Sequence, residues 1–203
     1  MNTIQIVQLS AGQKLDAVVS ALRKVNTLRR LVLGSTIQDP NLLQITAGLG
    51  GSQEETIISA LPEICHNPRQ IIRATYNMPI IHGDGPVTAP LVEHVQGYFP
   101  ASKVTPEFQQ QIESDMQTFH QNYVQHQAGF RAMAWGWTLD EVDHEDIKGE
   151  KAKCLLVLVG WDTMADFQRS FDSDACKDAL KILLAWNTPF NMWHVEQKFR
   201  QLD

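Results

Sequence analysis

The first part of the chain alternates between short β-type runs and segments with helical periodicity. Apolar residues at alternate positions, or in short runs, predict four strands at residues 3–9, 28–37, 42–47 and 70–76. Two helices separate these strands, and each begins with a capping-box sequence: Ser10-Ala-Gly-Gln13 and Ser52-Gln-Glu-Glu55. The predicted order is therefore β-α-β-β-α-β, within a first unit at residues 1–78.

The same order returns later in the chain. Residues 79–90 contain three prolines and two glycines, which predicts a linker. Residues 91–203 then form the second predicted unit, with strands at 91–98, 130–139, 154–161 and 190–197. A helix is predicted at 107–127, and the last helical region is expected to break near Asp172-Ser173-Asp174.

Two such units predict an α+β fold. A β-α-β-β-α-β unit is ferredoxin-like: it folds as a four-stranded antiparallel sheet with both helices on one face. Its other face is bare and must be covered. We expect the two units to pack sheet to sheet as a pseudo-dimeric α+β barrel, with two unrelated α+β layers as the alternative. The first strands of the units correspond, Ile6-Val7-Gln8 with His94-Val95-Gln96.

Composition narrows the possible partners and compartment. The 203 residues carry a net charge of −6, which argues against nucleic acid or an anionic membrane surface as partner. Cys65, Cys154 and Cys176 form no C-x-x-C pair, and we expect buried free thiols in a reducing compartment. The first ten residues lack the features of a signal peptide, and no apolar run is long enough to span a bilayer. We therefore expect a cytoplasmic protein.

One stretch of the second unit resembles a known superfamily. Residues 154–167 (CLLVLVGWDTMADF) place an apolar strand, Trp161, the small hydroxyl residue Thr163 and the helix residue Phe167 as the dimeric α+β barrel superfamily does. More narrowly, the stretch is similar to the antibiotic-biosynthesis monooxygenase (ABM) type, and the closing Trp193-His194-Val195 strand fits this type too. The degenerate first unit resembles the two-domain single-chain versions met in fungi.

The resemblance implies a pocket in each unit between the sheet and the helices. Members of the superfamily include cofactor-independent monooxygenases acting on aromatic polyketides of secondary metabolism, haem-degrading enzymes, polyketide cyclases, isomerases and stress-related proteins without a settled activity. Because the fold hosts unrelated chemistries, function has to be argued from the site. We expect the pocket in the second unit, since the first unit has glycine where the second has Trp161 and contains no tryptophan.

Candidate site residues lie on the predicted strands and helix of the second unit. As substrate-binding residues we expect those that give an aromatic or amide wall: Trp161, Trp137, Trp135, Tyr123 and Gln96. As candidates for the base that moves a proton near pH 7 we name three histidines: His120, His94 and His194. Each has a structural alternative, namely a core aromatic, a hydrogen-bonded buried pair or a solvated helix face.

No cofactor or metal is expected. The haem-degrading relatives supply an axial histidine from the second helix of the unit, and this chain has no histidine between His144 and His194. No H-x-H, H-E-x-x-H or C-x-x-C motif indicates a metal site.

The leading hypothesis is a cofactor-independent enzyme that abstracts a proton from a hydrophobic aromatic or polyketide-like small molecule, as an ABM-like monooxygenase does. A polyketide cyclase or isomerase using the same pocket is one alternative, and a non-enzymatic ligand-binding or stress-associated protein is another. The protein is expected to be a monomer or a homodimer.

Overall fold

The computed structural model describes residues 3–10, 15–24, 30–49, 57–62, 64–65 and 67–202. Within them the strands are β1 (Ile4–Ser10), β2 (Leu31–Thr36), β3 (Leu42–Gly48), β4 (Gln70–Tyr76), β5 (Leu91–Pro100), β6 (Phe130–Val142), β7 (Ala152–Trp161) and β8 (Phe190–Gln201). The helices are α1 (Leu15–Leu22), α2 (Ile57–Ala60), α3 (Pro106–Asn122), α4 (Met164–Phe171) and α5 (Asp174–Leu184). Most residues of the two capping boxes predicted in the first unit lie outside the described residues.

The strands close into an antiparallel barrel. Their order around the barrel is β1-β3-β2-β8-β5-β7-β6-β4, and each strand pairs antiparallel with both neighbours. The first four strands therefore meet the last four along two seams, β2 with β8 and β4 with β6. The predicted α+β class and the predicted order of strands and helices along the chain are confirmed. Pairing of the strand edges, which the sequence did not reveal, closes the barrel.

Strands β1, β5 and β7 present alternate residues to two buried environments. Even-numbered positions of β1, β5 and β7, such as Ile6, Val92 and Leu156, pack in the barrel interior. Odd-numbered positions, such as Val7 and Leu155, pack against helices on the outside. The outer layer of the second half is the larger one, because α3, α4 and α5 all cover it.

The segment predicted as a linker packs against the barrel. Ile80, Ile81 and Val87 are buried in the same core cluster as the interior strand residues. Within the segment, Gly85 lies so close to Ile80 that an added Cβ would be 2.4 Å from the Ile80 carbonyl oxygen. The two ends of this segment, residues 80–81 and 85–87, are therefore part of the folded core, whereas residues 82–84 are exposed.

The helices of the second half start at side-chain caps. Thr105 accepts a hydrogen bond from the Phe108 amide, and Pro106 occupies the first helical position of α3. Thr163 caps α4, and Ser173 caps α5 by accepting from the Cys176 amide. The expected break lies between Phe171 and Asp174, and it gives two short helices that can wrap the sheet at different angles.

Candidate functional site

A cavity of about 690 Å³ lies between the outer face of the sheet and the helices of the second half. Strands β5, β7 and β8 form its floor, and α3, α4 and α5 form its walls. The floor and wall residues include Glu93, Val95, Met116, Phe119, Tyr123, Val157, Val159, Trp161, Phe167, Ser170, Cys176, Leu180, Leu183 and Met192. This volume is typical of a small-molecule site. The pocket position expected from the resemblance is therefore where the structure has a cavity.

The lining is mostly apolar because one face of each strand forms the floor, and most side chains on that face are apolar. In β5 the alternation places Glu93, Val95 and Gly97 toward the helices. In β7 the same face carries aliphatic residues that end at Trp161. An apolar floor of this kind excludes water well and gives any polar group within it an unusually strong electrostatic effect.

Glu93 is the exceptional group on this floor. Burial raises its pKa to about 7, although the hydrogen bond that Trp161 Nε1 donates to Glu93 Oε2, at 3.0 Å, opposes the shift. The part of Glu93 that remains accessible faces the cavity that it lines. A carboxyl with a pKa near 7 is suited to take up and return a proton at neutral pH.

A second polar group lies on the helical side of the cavity. The Tyr123 hydroxyl is 2.8 Å from the Ser170 carbonyl oxygen and 2.5 Å from its Oγ, which ties α3 to α4. Burial raises the pKa of Tyr123 to about 12, and burial also raises the pKa of the nearby Cys176 thiol. Both groups therefore stay neutral at pH 7.

The mouth of the cavity is apolar. Phe171, Leu184 and Phe190 are 42%, 63% and 57% exposed, respectively, and all three line the cavity. Asn187, in the turn between α5 and β8, has φ of 47°, a left-handed conformation that asparagine tolerates better than most residues. An apolar rim of this size favours entry of a hydrophobic ligand.

Two of the expected substrate-binding residues line the cavity, Trp161 and Tyr123. Trp137 and Trp135 lie on the same outer face, but they pack beside the cavity rather than on it. Trp137 is buried against Phe99, with ring centroids 5.7 Å apart.

His94 and Gln96 occupy the barrel interior, on the opposite side of the sheet from the cavity. Gln44 Oε1 accepts hydrogen bonds from Gln8 and Trp193, so its amide nitrogen donates to His94 Nε2 at 3.0 Å. Burial lowers the pKa of His94 to about 3, and the ring stacks on Trp193. Gln96 accepts from Gln70. The expected pocket-facing orientation of this pair is therefore corrected: both belong to an interior polar network.

The other two candidate bases also lie outside the lining. His120 packs between Phe130 and Trp135, and burial lowers its pKa. The ring of His194 lies 4.3 Å from that of Phe167, measured between centroids. Gln38 Nε2 contacts His194 Nδ1 at 2.9 Å while Gln38 Oε1 accepts from the His194 amide, and burial lowers the pKa of His194 to about 4.

Sequence reasoning missed Glu93. A signal was present, since Glu93 is the only acidic residue in the apolar run Leu91–Pro100. A lone carboxyl in a strand buried on both faces is rare unless it is paired or functional.

Among the described residues that line the cavity there is no histidine to serve as an imidazole ligand. No group of three histidine, cysteine or acidic side chains in the described part of the chain could hold a metal ion. No helix in the described ranges is long and apolar enough to cross a membrane.

Comparisons with known proteins support the fold. No protein-family model and no curated protein matches the sequence. The structure is similar to that of a candidate monooxygenase from Lactobacillus acidophilus, with a TM-score of 0.59 and 8% identity over 99% of this chain and 96% of that one.

Two further solved structures have similar scores. A candidate monooxygenase from Fusobacterium nucleatum gives a TM-score of 0.57 and 12% identity, over 100% of this chain and 94% of the other. A major regulator of staphylococcal pathogenesis gives 0.54 and 12%, over 98% and 100%. At such identities the likeness shows the fold alone. The predicted resemblance is thus supported as a fold that solved candidate monooxygenases share, and the fungal two-domain type stays a prediction.

Proposed function

We propose that the protein is a cofactor-independent enzyme that removes a proton from a hydrophobic aromatic or polyketide-like molecule, as an ABM-like monooxygenase does. One observation carries the proposal: a carboxyl with a pKa near 7, Glu93, faces a mostly apolar cavity of about 690 Å³. The fold shared with two candidate monooxygenases is consistent with it.

In the proposed reaction Glu93 acts as the base. It takes a proton from a methylene carbon that is activated by flanking aromatic rings, and Trp161 and Tyr123 orient those rings. The resulting carbanion is electron-rich and forms a carbon–oxygen bond with O2, which is thereby reduced to a peroxide. The oxygen–oxygen bond then breaks. One oxygen stays on carbon as a carbonyl, and the other leaves as water with the two hydrogens of the methylene.

We also propose that residues 1–78 and 91–203 stand for the two subunits of a dimeric barrel, with the first unit in a structural role. The strand order supports this, because β2-β3-β1-β4 in the first half corresponds to β6-β7-β5-β8 in the second. The cavity of about 690 Å³ is lined by residues of the second half.

The test is turnover of anthrone-like and quinol-like aromatics with O2 uptake measured in parallel. Glu93→Gln keeps the shape of the side chain and an oxygen that accepts from Trp161, but it cannot take the proton. We expect it to slow turnover by about 100-fold or more. Glu113→Gln on the exposed face of α3 is the matched control and is expected to retain full activity.

Each other outcome contradicts part of the proposal. Turnover without O2 uptake identifies a cyclase or isomerase that uses the same base. Binding without turnover identifies a non-enzymatic ligand-binding protein. Unchanged turnover in Glu93→Gln removes Glu93 from the mechanism.

A further inference from the structure

One carboxyl oxygen of Glu93 accepts no hydrogen bond from the described residues. Glu93 Oε2 accepts the hydrogen bond from Trp161, whereas Glu93 Oε1 receives none from any described residue. Oε1 is not fully enclosed either. In this it differs from the partnerless buried atoms of Tyr76, Trp137, His194 and Gln197. It is therefore an accessible acceptor, and the space beside it is the cavity.

No positive charge balances this carboxyl. Among the described residues that line the cavity there is no lysine, arginine or histidine. The titratable groups that face Glu93 from neighbouring elements are Tyr123 of α3, Cys176 of α5 and, across the strand pair, His194 of β8. All three are neutral at pH 7. Asp146, at the exposed edge of the cavity, adds negative charge.

We propose that the cavity selects hydrophobic ligands whose buried end is a hydrogen-bond donor, a hydroxyl or a protonated amine, and rejects hydrophobic carboxylates such as fatty acids. A donor at this position satisfies Glu93 Oε1 with a charge-assisted hydrogen bond, which is among the stronger kinds. A carboxylate at the same position either repels Glu93 or has to share a proton with it, as closely paired carboxyls do. The inference rests on the proposed function only in placing the ligand in this cavity.

The shape of the cavity agrees with a ligand held at one end. Glu93 lies on the sheet side, whereas the exposed side chains of Leu184 and Phe190 line the mouth. A ligand that places its polar end at Glu93 can therefore keep its apolar body along α5 and the mouth, where no polar partner is needed.

Three naphthalene probes of the same size test the inference by calorimetric titration of the full chain between pH 5.5 and 8.5. They are 2-naphthalenemethanol, 2-naphthylmethylamine and 2-naphthoate, which are neutral, cationic and anionic throughout this range. Because ionisation of Glu93 is linked to binding, 2-naphthoate is expected to lose affinity by about tenfold per pH unit above pH 7. The amine is expected to gain affinity up to pH 7 and then level off, and the alcohol is expected to change little.

Glu93→Gln is expected to abolish both slopes, and Glu113→Gln is expected to keep them. The inference is overturned if 2-naphthoate binds as tightly as the alcohol at pH 8, if the wild-type slopes are absent, or if none of the probes binds. The wild-type slopes are informative even if Glu93→Gln does not fold. Opposite slopes without turnover of any aromatic substrate would refute the proposed catalysis alone. Turnover with flat slopes would refute this inference alone.

Discussion

Replacing Glu93 with glutamine should change how stability depends on pH. Burial raises the pKa of Glu93 from 4.5 to about 7, and each pKa unit corresponds to 1.36 kcal/mol. The protonated carboxyl therefore contributes about 3 kcal/mol of stability that is fully present below pH 4.5 and is lost as the pH rises through 7. Glutamine has no such dependence. The free energy of unfolding of Glu93→Gln relative to wild type should rise by about 3 kcal/mol between pH 4.5 and pH 8.

Urea unfolding followed by tryptophan fluorescence at half-unit pH steps measures this difference. Comparing variant with wild type removes the contributions of His94 and His194, whose lowered pKa values make both proteins lose stability as the pH falls below 6.5. Glu113→Gln should track wild type at every pH. A difference between Glu93→Gln and wild type that stays within about 0.5 kcal/mol across the range would show that the carboxyl is not desolvated, and would refute the reasoning.

Three further predictions concern the cavity walls and a barrel seam. Trp161→Phe removes the hydrogen bond donated to the buried glutamate, so the pKa of that carboxyl should rise and the midpoint of the pH–activity profile should move upward. Tyr123→Phe should cost about 1 kcal/mol in urea unfolding. A double-mutant cycle with Ser170→Ala should isolate the part due to the contact with Ser170 Oγ, because that variant keeps the Ser170 carbonyl oxygen that Tyr123 also contacts. Gly136→Ala should cost about 3 kcal/mol or more, because its Cβ would lie 1.9 Å from a β4 carbonyl oxygen, whereas Gly97→Ala meets only ordinary contacts and should cost far less.

Local periodicity was sufficient for most of the fold. Strand positions and the break between α4 and α5 depend on residues that are neighbours in sequence, so a single chain reveals them. Closure of the barrel depends on pairing Leu31 with Gln201, for which the sequence carries no local signal. The packing of segment 80–87 could not be predicted for a similar reason, since its prolines and glycines indicate turns but not what Ile80 and Val87 pack against.

The candidate site shows the limit of strand alternation. A period of two places His94 and Gln96 on one face of β5 and Glu93 on the other, as in the structure. Deciding which face meets the helices needs one face to be clearly apolar. Because β5 is buried on both faces, alternation does not show which face meets the helices. In the structure Glu93, and not the predicted His94, lies on the cavity side. The resemblance predicts Trp161 as a pocket residue, and Trp161 lines the cavity.

The β2–β8 seam has a consequence for the order in which the protein can be completed during synthesis. β2 leaves the ribosome long before β8, the last strand of the described barrel, which is the strand that pairs with its outer edge. The edge of β4 remains an open template for strands of other chains until β6 emerges, and the edge of β2 remains one until β8 emerges. Contacts of such long sequence separation also form slowly. We therefore expect the nascent chain to need shielding until β8 emerges, and truncation before Phe190 to give an aggregating product rather than a stable half-barrel.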